Sequence, residues 1–135
     1  MSRALRAVTE PARQALKKWD LSMTEFGILE ALHHKGPQPL TALADLVLIT
    51  GASMTYAVKQ LEARGLMRRQ PSAEDLRFVF GELTEKGQTL IAQVFPEHAE
   101  QLRLGMRGLS RQEKRQAAEL LKRLGLGASA GADEL

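Results

Sequence analysis

The chain has 135 residues, is 44% hydrophobic and contains no cysteine. That is enough for one compact domain but short for two cores, and it excludes disulfide scaffolds, Cys-ligated zinc and thiol redox chemistry. The formal net charge is only +3, so nucleic-acid binding cannot be argued from overall basicity.

No run of about 18 apolar residues occurs, and MSRALRAVTEPARQ lacks the apolar centre of a signal peptide. A soluble, cytoplasmic protein with no membrane role is expected. The first segment, residues 2 to 18, is amphipathic, and Pro11 is expected to split or kink it. In DLSMTEFGILEALHHKG, Ser22 and Glu25 have capping-box spacing, Phe26, Ile28, Leu29 and Leu32 follow at helical spacing, and Gly36 with Pro37 ends the run. A helix over about 23 to 35 follows. Pro39 suits the first turn of a short helix whose apolar stripe is Leu40, Leu43, Ala44 and Val47. Thr50 can cap a third helix running to about Arg64, with Gly65 as a left-handed cap. Two helices joined by so short a turn make a helix-turn-helix shape.

Within the third helix, Met54, Ala57, Val58 and Leu61 recur at i, i+3, i+4 and i+7 and form the expected buried stripe. The opposite face carries Ser53, Thr55, Tyr56, Lys59 and Gln60, side chains able to meet phosphates or base edges in a major groove. Further on, LMRRQ and LRFVFGEL flank the turn-forming PSAED and read as a β-hairpin. An arginine at such a tip can enter a minor groove; Arg77 fits that role, and Asp75 fits the role of orienting it. Arg64, Arg68 and Arg69 are candidates for the phosphate backbone. From 51 to 73, four basic residues (Lys59, Arg64, Arg68, Arg69) against Glu62 give a local +3. Thr84 caps a long helix to about Gly105 with Pro96 as a kink, and Ser110 with Glu113 opens a last helix ending near Gly125. The remainder, from 126 to 135, reads as a flexible tail.

The segments LSMTEF, LADLVLITGASMTYAVKQLEARGLMRRQ and EDLRFVFGELTEKG together resemble the winged helix-turn-helix of the MarR family of bacterial transcription regulators, over about Leu21 to Leu83. The chain departs from the family's usual pattern at Leu48, where glycine is common, at Tyr56, where a basic residue is common, and at Leu76, where arginine is common. The resemblance implies a mainly α fold with a small β-hairpin wing. In it, residues 1 to 135 form a single domain whose winged helix-turn-helix, about 21 to 83, is flanked by dimerisation helices at about 1 to 20 and 84 to 125.

It further implies a homodimer that binds double-stranded DNA at a palindromic operator, most often as a repressor. Apolar surface for the dimer is available in Leu5, Val8, Leu90, Ile91, Val94, Phe95, Leu120, Leu121 and Leu124, part of which must serve the chain's own core. Family members commonly respond to small phenolic or carboxylate effectors in a crevice beside the DNA-binding lobe, near which Trp19, Phe26, His33 and His34 fall. Read without the resemblance, Trp19 is a packing residue and the two histidines are partly exposed groups at a helix end. Adjacent histidines project about 100° apart on a helix, so no metal site is expected. The chain has no Cys nucleophile, metal pair or phosphate loop, so neither enzyme activity nor a cofactor is expected. A winged helix used solely for protein–protein contact is the alternative function.

Overall fold

The computed structural model describes residues 2–47 and 51–133. The order of elements is α1 (Arg3–Lys17), α2 (Met23–Lys35), β1 (Gln38–Pro39), α3 (Leu40–Leu46), α4 (Gly51–Ala63), β2 (Met67–Pro71), β3 (Val79–Leu83), α5 (Glu85–Gly105) and α6 (Arg111–Asp133). The mainly α fold with a β wing is therefore present. Thr50 and Leu48 lie outside the described residues.

The local signals act as their chemistry dictates. Ser22 Oγ accepts from the Glu25 amide at 3.1 Å while the Glu25 carboxylate accepts from the Ser22 amide at 3.0 Å, a complete capping box. Ser110 and Glu113 repeat it at 3.1 and 2.7 Å. Gly36 and Gly65 sit at φ 74° and 70°, a left-handed backbone that glycine enters without a Cβ clash. Phe26, Ile28 and Leu29 of α2, Leu43 of α3, Leu61 of α4 and Ile91 of α5 are fully or almost fully buried in one core. The α4 stripe of Met54, Ala57, Val58 and Leu61 faces that core.

Several expectations are corrected. Pro11 lies inside a continuous α1 rather than dividing it; Ala12 and Leu16 are buried, so packing holds the helix through the missing amide bond. The hairpin is a three-stranded antiparallel sheet in the order β1-β3-β2, with Gln38 opposite Gly81 and Pro39 opposite Phe80. Proline is tolerated there because β1 is an edge strand. Leu76, Arg77 and Phe78 belong to the loop between β2 and β3 and not to a strand. The last helix does not stop near Gly125 but continues to Asp133. Ile91 and Val94 are spent on the internal core, with Leu90 and Phe95 partly buried against it.

The tightest joint lies where α4, the wing and α5 meet. The Thr84 hydroxyl donates to the Gly65 carbonyl at 2.5 Å and the Thr84 amide to that of Leu66 at 3.2 Å. Thr84 Oγ1 also accepts from the Gly87 amide at 3.1 Å, capping α5. A Cβ on Gly87 would overlap the Leu66 carbonyl, whereas one on Gly125 would meet nothing within 4 Å. Gly87→Ala is therefore expected to cost about 3 kcal/mol, near 10 °C in melting temperature. Gly125→Ala, which replaces a helical glycine in open space, should be neutral or slightly stabilising. Thermal melts followed by circular dichroism test the pair, and equal melting of both variants would show that the joint yields.

Candidate nucleic-acid interface

The exposed side of α4 carries Thr55, Tyr56 and Lys59, with Ser53 and Gln60 on its flanks. Tyr56 is 67% exposed, an aromatic ring held in water by a helix whose other side is fixed in the core. Such a ring can meet a thymine methyl or base edge, and Lys59 a phosphate.

The wing presents a second group beside this helix. Arg77 is almost fully exposed, and its Nε and Nη2 donate to the Asp75 carboxylate at 3.1 and 2.7 Å. The Arg77 amide also donates to Asp75 Oδ1, at 3.0 Å. The Arg77 side chain, and next its amide, hold the Asp75 carboxyl below the usual carboxylate range, and Asp75 raises Arg77 in return. Asp75 thus fixes the arginine's direction while leaving its outer edge open.

The remaining candidates are distributed differently. Arg64 donates to the main-chain carbonyls of Asp20 at 2.6 Å and Trp19 at 3.0 Å, tying the end of α4 to the α1–α2 connection. Arg69 pairs with Glu62 at 2.7 Å and Arg68 with Glu82 across the β2–β3 ladder at 2.5 Å. The local +3 counted from sequence therefore overstates the positive charge, because Glu82, outside the counted window, pairs with Arg68, and the Arg64 guanidinium keeps its charge but is held by the fold.

The four effector candidates do not converge. Trp19 donates through Nε1 to Glu97 at 3.3 Å, beside a Lys18–Glu97 ion pair at 2.7 Å, which makes it a strut between α1 and α5. His33 Nδ1 meets Gln88 Nε2 at 2.7 Å. Phe26 and His34 do line one crevice of about 460 Å³, together with Glu30, Leu46, Val47 and His98. His98 is the residue that sequence reasoning missed. It extends the inward stripe Gly87, Ile91, Val94 on α5, a spacing that could have exposed it. Its ring lies 4.1 Å from that of Phe26, and its buried Nε2 has no hydrogen-bond partner among the described residues.

Burial pushes His98 below the ordinary histidine range, with Glu30 pulling weakly the other way. The unfolded chain therefore takes up a proton near pH 6.5 that the folded chain resists. Stability from this site is complete above that pH and declines as pH falls below it. His98→Met should melt with a smaller loss between pH 7.5 and 5.5 than the parent, as read by scanning calorimetry; an identical loss would show that His98 does not govern this window.

A model of the MarR family matches residues 21–79. The HTH-type transcriptional regulator MhqR of Bacillus subtilis strain 168 is 40% identical over 128 residues, covering 95% of this chain and 88% of that protein. PecS of Dickeya dadantii, another HTH-type transcriptional regulator, is 31% identical over 92% of this chain and 76% of its own. Among solved structures, AbsC from Streptomyces coelicolor superposes with a TM-score of 0.85 at 22% identity, over 94% of this chain and 88% of that one. BpsR from Bordetella bronchiseptica, whose DNA binding is regulated by 6-hydroxynicotinic acid, gives 0.81 at 26% identity over 91% and 88%.

Proposed function

This chain belongs to the MarR family of DNA-binding transcriptional regulators, and from that premise we propose that it represses transcription by binding a palindromic operator as a homodimer, and that a small-molecule effector releases it. The observation that carries the DNA-binding face is the pairing of the exposed Tyr56 and Lys59 side of α4 with an arginine held outward by Asp75. One element enters a major groove and the other the adjacent minor groove, where a narrow A·T tract draws a guanidinium most strongly. One such module makes few contacts, and a dyad doubles them, which is why the operator is palindromic.

The dimer is supported by α6. Its 23 residues carry Leu120, Leu121, Leu124 and Leu126, all between 61% and 69% exposed, and Leu5 on α1 is 50% exposed. Leu120, Leu121 and Leu124 fall within about 100° of one helix face, and exposed apolar side chains grouped in this way mark an interaction surface. Static light scattering at micromolar concentration should give about twice 14.9 kDa; a monomer mass throughout that range would remove the dimer. The effector is supported by the Phe26–His34–His98 crevice and by the regulation of BpsR. The crevice admits a small planar aromatic molecule of the phenolic or carboxylate class.

The DNA-binding test uses a duplex selected from genomic fragments and fluorescence anisotropy. Arg77→Ala should lose tenfold or more in affinity, roughly the worth of one charge-assisted contact, with its melting temperature within about 2 °C of the parent. Asp75→Ala should lose less, and the double variant no more than Arg77→Ala. Arg64→Ala should instead lower the melting temperature by several degrees, because the clamp to Trp19 and Asp20 goes with it. Parental affinity in Arg77→Ala would refute the wing's role, and affinity independent of salt would refute phosphate binding altogether.

A further inference from the structure

We propose that Leu76 is an apolar wedge that enters a base step of the minor groove beside Arg77, so that the protein reads the deformability of its site as well as its base edges. The inference rests on the DNA-binding reading above.

The wing loop is built to present two side chains. Ser72 N donates to the Phe78 carbonyl at 2.9 Å and closes the base of the loop. Ser72 Oγ accepts from the amides of Glu74 at 3.2 Å and Asp75 at 3.3 Å. Phe78 N then donates to the Asp75 carbonyl at 3.1 Å, which closes a four-residue turn with Leu76 and Arg77 at its two central positions. The Asp75 carboxylate adds a second closure through the Arg77 amide at 3.0 Å. The backbone of the tip is thus fixed before any partner arrives, and little entropy remains to be lost on binding.

Leu76 is 79% exposed, more than any other large hydrophobic among the described residues. Phe78 at 50% and Val79 at 38% continue the apolar strip toward the sheet. A loop this small cannot support a protein–protein interface of ordinary size. Beside it on the same turn stands the exposed Arg77, whose guanidinium is braced on one edge by Asp75 and open on the other, while Arg68 and Arg69 on β2 are paired with Glu82 and Glu62. The occupant that matches an apolar tip beside a guanidinium is a duplex groove, whose phosphates meet the cation and whose floor is apolar between the bases. Leucine is among the side chains that can slip between base steps and unstack them.

The stabilisation from burying one leucine is comparable with the unstacking it requires. Removing Leu76 should therefore change affinity modestly and bending strongly. The effect should concentrate at pyrimidine–purine steps, which unstack most easily. Because Leu76 carries no charge, the salt dependence should not change, in contrast to a lost phosphate contact.

The experiment uses the full chain, a duplex selected by the parental protein, dyes at its two ends for energy transfer, and 2-aminopurine placed at successive steps facing the wing. The parent should shorten the end-to-end distance and brighten 2-aminopurine at one step in each half-site. Leu76→Ala should lose about fivefold in affinity, the bend and the brightening, with the salt slope unchanged. Leu76→Met, which restores length and apolarity, should recover all three. Equal affinity and bending in Leu76→Ala would overturn the wedge, as would lost affinity with the bend and brightening intact, since that outcome makes Leu76 a surface contact. Failure of the parent to select any duplex would instead overturn the DNA-binding reading itself.

Discussion

The Gly65–Leu66 peptide is the point on which the rest of the molecule turns. Gly65 reverses the chain in a left-handed conformation, and the Leu66 amide bonds back to the Leu61 carbonyl at 2.9 Å, which closes α4. The same short stretch accepts the Thr84 hydroxyl and amide, and the Lys86 ammonium donates to the Arg64 carbonyl at 2.9 Å. Three elements are therefore referenced to one piece of backbone: the end of the recognition helix, the start of the wing and the first turn of α5. Gly87 permits the approach, because any side chain there would strike Leu66. The joint sets the angle between α4 and the wing, on which the proposed reading of two grooves together depends.

From this joint the order propagates in two directions. Toward the wing, β3 is pinned between β1 and β2, with the tips of the Met67 and Leu40 side chains packed where a Gly81 Cβ would lie. Toward the terminal helices, α5 carries Ile91 and Val94 into the core of the DNA-binding lobe and packs along α1, where Lys18 and Trp19 meet Glu97. Lys18 also lies 5.3 Å from the centre of the Trp19 ring, so one acid, one cation and one aromatic group share the contact. Arg64 closes the circuit by binding the carbonyls of Trp19 and Asp20. One arginine at the end of α4 thus ties that helix to the end of α1.

What could be read from sequence was the local chemistry, and what could not was long-range. Ser22 with Glu25, Thr84 and Gly65 act within a few residues of themselves, so their roles follow from spacing alone. β1 escaped because two residues, one of them proline, carry no alternation, and its pairing with β3 crosses more than half the helix-turn-helix. Leu76 and Phe78 were assigned to a strand by their β propensity; Asp75 and Ser72 capture the local backbone amides, and that competition wins. Arg64 looked like a phosphate ligand because nothing in the sequence reveals a partner 44 residues away. Among the effector candidates, Phe26 and His34 meet in one crevice while Trp19 and His33 are engaged elsewhere, and His98 came unannounced from α5.

The placement of that crevice bears on how release could operate. Its lining includes Leu46 and Val47, at the end of α3, and Phe26, which shares the core with the buried stripe of α4. A ligand seated there touches the end of α3 and α5 at once, through Val47 on one side and His98 on the other. It changes DNA affinity only to the extent that it binds one arrangement of these elements better than another. The crevice joins α2, through Phe26 and His34, to the end of α3, so a ligand that fits one spacing of these two helices better than another favours that spacing. The far end of α4 is held by the Gly65 joint. In the proposed release, a change of spacing between α2 and α3 tilts α4 about that fixed end and alters its angle to the wing, the angle that the proposed entry into two grooves requires.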